Sequence, residues 1–117
     1  MTEIRPAVPG EYVTIRSILE AALLEVDAGL LRRSSVLVAV EDDRILGALV
    51  LSGQEIEAIA VRPGRRGQGI GSTLVQRAAK RRPLLSAAFD PAVREFYIAL
   101  GFETVREDGR CRGVYKR

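Results

Sequence analysis

The sequence predicts a mixed α/β fold, a largely antiparallel twisted sheet with helices on both faces. Segments whose apolar residues recur at spacings of three and four alternate with short β-branched runs. Charged or glycine-containing turns join consecutive runs into hairpins. The resulting order, β-α-β-β-β-α-β-α-β-β, places helices between strands throughout the chain. With 117 residues, 47% of them apolar, the chain is long enough for one core and too short for two, so residues 1–117 are expected to form a single domain.

Taken in order, Thr2 to Arg5 reads as a first strand closed by Pro6, and Pro9-Gly10 marks a turn. From Glu11 to about Val26 one helix is expected, its inward stripe formed by Tyr12, Ile15, Ile18, Leu19, Ala22, Leu23 and Val26, with Gly29 ending it or opening the next loop. Only Asp27 to Ser34 remains for a further helix, which is absent or vestigial. Val36 to Val40 and Arg44 to Leu51 read as strands joined across Glu41-Asp42-Asp43. After Ser52-Gly53, Gln54 to Val61 alternates, which predicts Glu55, Glu57, Ile59 and Val61 on one face and Ile56, Ala58 and Ala60 on the other.

A helix is predicted from about Gly69 to Arg81, burying Ile70, Leu74 and Ala78 and ended by Pro83. Leu84 to Phe89 reads as a buried strand. Pro91 then begins a short helix capped by Asp90, which turns Val93, Phe96, Tyr97 and Leu100 inward and stops at Gly101. The segment from Phe102 to Tyr115, folded back at Asp108-Gly109, reads as a terminal hairpin.

Composition excludes several chemistries. The chain has one cysteine and no histidine, so it forms no internal disulfide, offers no Cys/His metal cluster and lacks the histidine of a Ser-His-Asp or Cys-His site. No metal is expected, and acid–base work falls to Glu, Asp, Tyr, Lys or Cys. No signal peptide and no apolar stretch near the roughly 20 residues of a membrane span is visible, so a soluble, cytoplasmic protein without a membrane partner is expected. Charge is uneven: residues 1–58 carry 5 basic and 10 acidic side chains, residues 59–117 carry 13 and 5. Many of the arginines read as a solvated helix face. Too few aromatic residues are present for a nucleic-acid stacking platform.

The stretch Ile59-Ala60-Val61-Arg62-Pro63-Gly64-Arg65-Arg66-Gly67-Gln68-Gly69-Ile70-Gly71-Ser72 runs from strand through loop into helix. Alternating glycines at 67, 69 and 71 let several main-chain N–H groups turn toward one point, and the first N–H groups of the following helix lie at the positive end of its dipole. Such a site suits a phosphate, and Arg65 and Arg66 add full charges. A P-loop would require lysine where Ile70 stands. A dinucleotide fingerprint would require glycine where Ser72 stands.

The pattern Val-x-Pro-x-x-Arg-x-x-Gly-x-Gly is matched by Val61, Pro63, Arg66, Gly69 and Gly71. Here the chain resembles the GCN5-related N-acetyltransferase (GNAT) superfamily, whose acetyl-coenzyme A pyrophosphate loop has this form. Asp90-Pro91-Ala92-Val93-Arg94-Glu95-Phe96-Tyr97-Ile98-Ala99-Leu100-Gly101-Phe102 resembles the superfamily's Asn-x-x-Ala…Tyr-x-x-x-Gly-Phe segment, with Tyr97 in register and aspartate in place of asparagine.

The resemblance implies acetyl-coenzyme A as cosubstrate, a primary amine as acceptor and direct transfer in a ternary complex, with room for a homodimer. It implies pyrophosphate contacts from Arg66, Gly67, Gln68, Gly69, Ile70, Gly71 and Ser72. Main-chain pairing of Ile59, Ala60 and Val61 with the pantetheine arm is implied too, between splayed strands. Asp90 is either a cofactor contact or a helix cap. Tyr97 is the implied general acid, and Glu57 or Glu55 could serve as base. Two further classes remain open: a non-catalytic acyl-coenzyme A-binding domain and a small basic nucleic-acid-binding module.

Overall fold

The apolar runs become strands where each can cover one of two cores. In the computed structural model, which describes residues 1–116 and leaves Arg117 of the expected domain outside, these are β1 (Glu3–Pro6), β2 (Ser35–Glu41), β3 (Arg44–Ser52), β4 (Glu55–Val61), β5 (Leu84–Phe89), β6 (Glu103–Glu107) and β7 (Arg110–Lys116). Among the described residues they form one seven-stranded sheet ordered β1-β2-β3-β4-β5-β7-β6. Every pairing is antiparallel except that of β4 with β5. Two hairpins close through tight turns with both central residues left-handed, Asp42 and Asp43 at φ 52° and 61° and Asp108 and Gly109 at 49° and 80°. That geometry matches the twist of the strands it joins.

Helices cover both faces. On one side α1 (Tyr12–Ala21) and α2 (Ala28–Arg33) bury Ile15, Ile18, Leu19 and Leu31 against Val38, Ala48, Val50 and Ala58. On the other, α3 (Ile70–Lys80) and α4 (Arg94–Ala99) bury Leu74, Val75 and Tyr97 against Leu49, Ile56, Leu85 and Phe89. Among the described residues no helix is long and apolar enough to cross a membrane.

The long first helix expected to reach Val26 stops five residues earlier, at Ala21. Leu23 takes φ 63°, its amide donates to Glu20 O at 2.9 Å, and the amide of Leu24 donates to Leu19 O at 3.0 Å. This is a Schellman ending, usually built on glycine. Leu23, expected inside, is 92% exposed. The vestigial helix is the six-residue α2. Gly29 lies within it, and Asp27 Oδ1 caps it by accepting from Leu30 N at 2.7 Å. Val93, also expected inside, is exposed because Pro91–Val93 form a 3-10 turn before α4. β5 alternates rather than being buried on both faces: Leu85, Ala87 and Phe89 point into the core and Ala88 is exposed.

Two departures from regular pairing shape the centre. Ala58 pairs with Val50 and Ile56 with Leu51, so Glu57 is an extra residue, a β-bulge in β4. The bulge breaks the alternation: Ile56 joins the core under α3, whereas Ala58 and Ala60 join the core under α1. The expected common face of Glu55 and Glu57 assumed unbroken alternation, which the bulge at Glu57 interrupts. Beyond the bulge β4 and β5 separate. The register Glu55 to Ser86 and Ile56 to Ala87 joins them, and no further pair follows among the described residues.

Candidate active site

A groove of about 880 Å³ opens where β4 and β5 part. Its floor is the β5-facing edge of β4 from Glu57 to Val61, and one end is the glycine loop with the start of α3. Ala88 and Phe89 of β5 and Phe96 and Tyr97 of α4 form a second side, and Ala21 to Leu24 stand at the opposite mouth. Main-chain groups on the β5 side of Ile59, Ala60 and Val61 lack a strand partner, so an extended ligand could pair with them as an added strand does.

The loop is held open by backbone conformation and by side chains. Gly67 and Gly69 lie at φ 77° and 82°, where a β-branched residue would be strained. Gly71 serves differently: a Cβ there would lie 3.3 Å from the Phe96 ring. The amides of Gly67 to Ser72 make no hydrogen bond among the described residues, whereas that of Arg66 closes the preceding 3-10 turn on Pro63 O at 3.5 Å. An array of free N–H groups at the start of an 11-residue helix is chemically suited to a pyrophosphate.

Arginine side chains brace this array. Arg65 donates from Nε to Gln68 Oε1 at 2.8 Å and pairs with Glu41 at 3.0 Å, and Glu41 also accepts from Thr2 at 2.9 Å. The Thr2 and Arg65 hydrogen bonds hold the Glu41 carboxyl below its ordinary range. Arg66 Nε donates to Val61 O at 3.0 Å. Arg65, Arg66, Gly67, Gly69, Ile70, Gly71 and Ser72 all border the groove. Gln68 does not, since its amide is turned to Arg65. Ile70 is buried beneath the loop, which leaves only its main chain for a ligand.

Tyr97 lies at the meeting of β5 and α4. Its ring stacks on Phe89 with centroids 4.1 Å apart, and the edges of Phe96 and Phe102 close the other sides at 5.1 and 5.2 Å. The residue is 4% exposed, yet no buried side-chain oxygen lacks a partner among the described residues. Its hydroxyl, which has no protein partner, therefore opens to the groove. Burial, with a smaller contribution from the Glu55 charge, pushes the phenol up to about 12. It keeps its proton at neutral pH.

The two glutamates are separated by their surroundings. Glu55 accepts from Ser86 Oγ at 2.6 Å and from Arg112 at 3.4 Å, outside the groove lining. Glu57, at the bulge, is exposed and borders the groove, and its carboxylate has no hydrogen bond or ion pair among the described residues. Asp90 also borders the groove, but its Oδ1 caps the following turn by accepting from Ala92 N at 2.8 Å. Leu23, Leu24, Ala88 and Arg110 were not expected here. Ala88 and Arg110 come here through the sheet order and Leu23 and Leu24 through the turn that ends α1, and no local pattern marks them.

A glycine loop at a helix start, beside a gap between splayed strands, is a geometry chemically suited to a phosphate-bearing ligand with an extended arm. The acetyltransferase (GNAT) domain family model matches residues 32–104, and the chain belongs to that family. It is 30% identical over 103 residues to the peptidyl-lysine N-acetyltransferase YjaB of Salmonella typhimurium, an alignment covering 85% of this chain and 71% of that protein. Among solved structures, an IAA acetyltransferase from Bacillus cereus superposes with a TM-score of 0.78 at 19% identity, over 100% of both chains. A GNAT family acetyltransferase from Elizabethkingia anophelis with acetyl-CoA bound gives 0.75 at 18% identity, over 99% of this chain and 98% of that one.

Proposed function

We propose that the chain is an N-acetyltransferase acting as one domain, moving an acetyl group from acetyl-coenzyme A to a primary amine within a ternary complex. The observation that carries this reading is the groove itself, with the free amides of Gly67 to Ser72 at one end and the Tyr97 hydroxyl opening into it. The acetyltransferase family membership and the acetyl-CoA-bound relative support the same assignment. The similarity to YjaB, a peptidyl-lysine N-acetyltransferase, favours a lysine side chain as acceptor.

Acetyl-coenzyme A supplies an activated thioester. The loop amides and Ser72 hold its pyrophosphate, assisted by Arg66, and the β5-facing edge of Ile59 to Val61 pairs with the pantetheine arm. An N–H on that edge donates to the carbonyl oxygen as it gains charge. Glu57 takes a proton from the acceptor ammonium, directly or through water, so that the free amine attacks the carbonyl carbon. The nitrogen bonds to the carbonyl carbon and gives its second proton to solvent, the carbon–sulfur bond breaks, and Tyr97 donates its proton to the departing sulfur and recovers one from solvent. Glu55, bound by Ser86 and Arg112, positions β4 against β5.

Release of free thiol from acetyl-coenzyme A in the presence of amine acceptors tests the reading. Acceptor-dependent thiol is the expected result. A rise in melting temperature on adding coenzyme A, with no thiol released for any amine, would instead identify a non-catalytic binding domain.

A further inference from the structure

Arg110 is the first residue of β7, immediately after the turn at Asp108 and Gly109, and it borders the groove. Its guanidinium makes no hydrogen bond or ion pair among the described residues. Its cross-strand neighbour Glu107 forms no ion pair with it, and the Asp90 carboxylate is turned to Ala92 N. The other groove arginines are engaged, Arg65 with Glu41 and Gln68 and Arg66 with Val61 O.

The register fixes where Arg110 lies relative to Glu57. Ile56 is level with Ala87 and Phe89 with Cys111, so Arg110 stands near the carboxyl end of β5, two residues further along than Glu57. Two strand spacings, about 10 Å, are the least lateral separation of β4 from β7 here, since β4 and β5 part beyond Ile56, with about 7 Å along the strands. Flexible side chains at that separation can contact neighbouring residues of one acceptor. At the mouth stand Leu23 and Leu24, the first 92% exposed and held at φ 63°. An apolar wall suits the methylene stem of a lysine. A free arginine beyond it suits a carboxylate.

Resting on the N-acetyltransferase reading above, we infer that the acceptor is a lysine in a peptide with an aspartate or glutamate beside it. The lysine stem lies on Leu23 and Leu24, its ammonium reaches Glu57, and the neighbouring carboxylate is bound by Arg110.

The test measures thiol release from acetyl-coenzyme A with N-terminally blocked peptides in which one lysine is flanked by glutamate, alanine or arginine, and with free glutamate and free lysine. Wild-type protein should use the acidic-flanked peptide roughly tenfold better in kcat/KM than the alanine-flanked one, the effect of one charge-assisted hydrogen bond. R110A should bring that ratio close to one and R110E should invert it. R106A keeps the wild-type ratio, because Arg106 pairs with Cys111 on the other face of the hairpin. Peptide acetylation with no charge preference, or with a preference unchanged in R110A, overturns the inference and leaves the acetyltransferase reading intact. Use of free amino acids or simple amines alone overturns the peptide assignment. Absence of turnover with every amine, while coenzyme A still binds, overturns both.

Discussion

The hydroxyl of Ser86 donates to the Glu55 carboxylate at 2.6 Å across the last stretch where β4 and β5 are joined. Arg112 reaches the same oxygen from β7 at 3.4 Å, so three adjacent strands are tied just before the gap opens. In the proposed mechanism this tie gives Glu55 a positioning role and leaves proton transfer to Glu57 at the bulge.

Ser86→Ala removes one hydrogen bond to a charged acceptor and should lower stability by about 1–2 kcal/mol, read by denaturant unfolding. Its larger effect should be on KM for acetyl-coenzyme A, since the strands that bound the groove lose a tie. Unchanged stability and unchanged KM together would show that the bond contributes nothing.

Glu57→Gln should lower turnover at neutral pH and make the remaining rate climb as pH rises, because the acceptor ammonium must then lose its proton to solvent. Glu55→Gln should weaken the Ser86 and Arg112 contacts and leave the shape of the pH–rate profile unchanged. A changed profile in Glu55→Gln with an unchanged one in Glu57→Gln would reverse the assignment.

Gly69→Val forces a β-branched residue to φ 82° with open space around its Cβ, so the strain falls on the loop backbone alone. Coenzyme A affinity should fall far more than in Arg77→Ala, whose guanidinium instead donates to Ile4 O at 3.0 Å, away from the groove. Equal affinities by calorimetric titration would remove the loop from the binding site.

How much of this was legible depends on whether a residue's fate was decided locally. The strands of β2 and β3 could be read from their β-branched runs, and the hairpin at Asp108-Gly109 from turn chemistry. The glycine loop was visible because its function requires a backbone that side chains disallow. The end of α1 was hidden because leucine, not glycine, occupies its left-handed position. The bulge at Glu57 was hidden for another reason: register belongs to the pairing with β3, and nothing in β4 announces it. Arg110 and Tyr97 mark the same divide. Tyr97 could be placed because the segment from Asp90 to Phe102 resembles a superfamily motif, whereas Arg110 reaches the groove only through the sheet order.

The raised pKa of Tyr97 also has a stability consequence. A phenol that titrates near 10 when unfolded and at about 12 when folded keeps its proton more tightly in the folded state. This contribution, on the order of 2 to 3 kcal/mol, is fully present below pH 10 and lost as pH rises toward 12. Thermal unfolding should show a drop across that window that is absent in Tyr97→Phe. An identical alkaline drop in both proteins would assign it to other groups.

If Tyr97 donates a proton to the leaving sulfur, Tyr97→Phe must remove that donation. The substitution keeps the stack on Phe89 and removes only the hydroxyl that opens to the groove. Thiol release with a lysine acceptor should fall by roughly 10²- to 10⁴-fold, with coenzyme A affinity unchanged by calorimetry. Turnover equal to wild type at unchanged affinity would contradict the account and leave Tyr97 as a core aromatic residue.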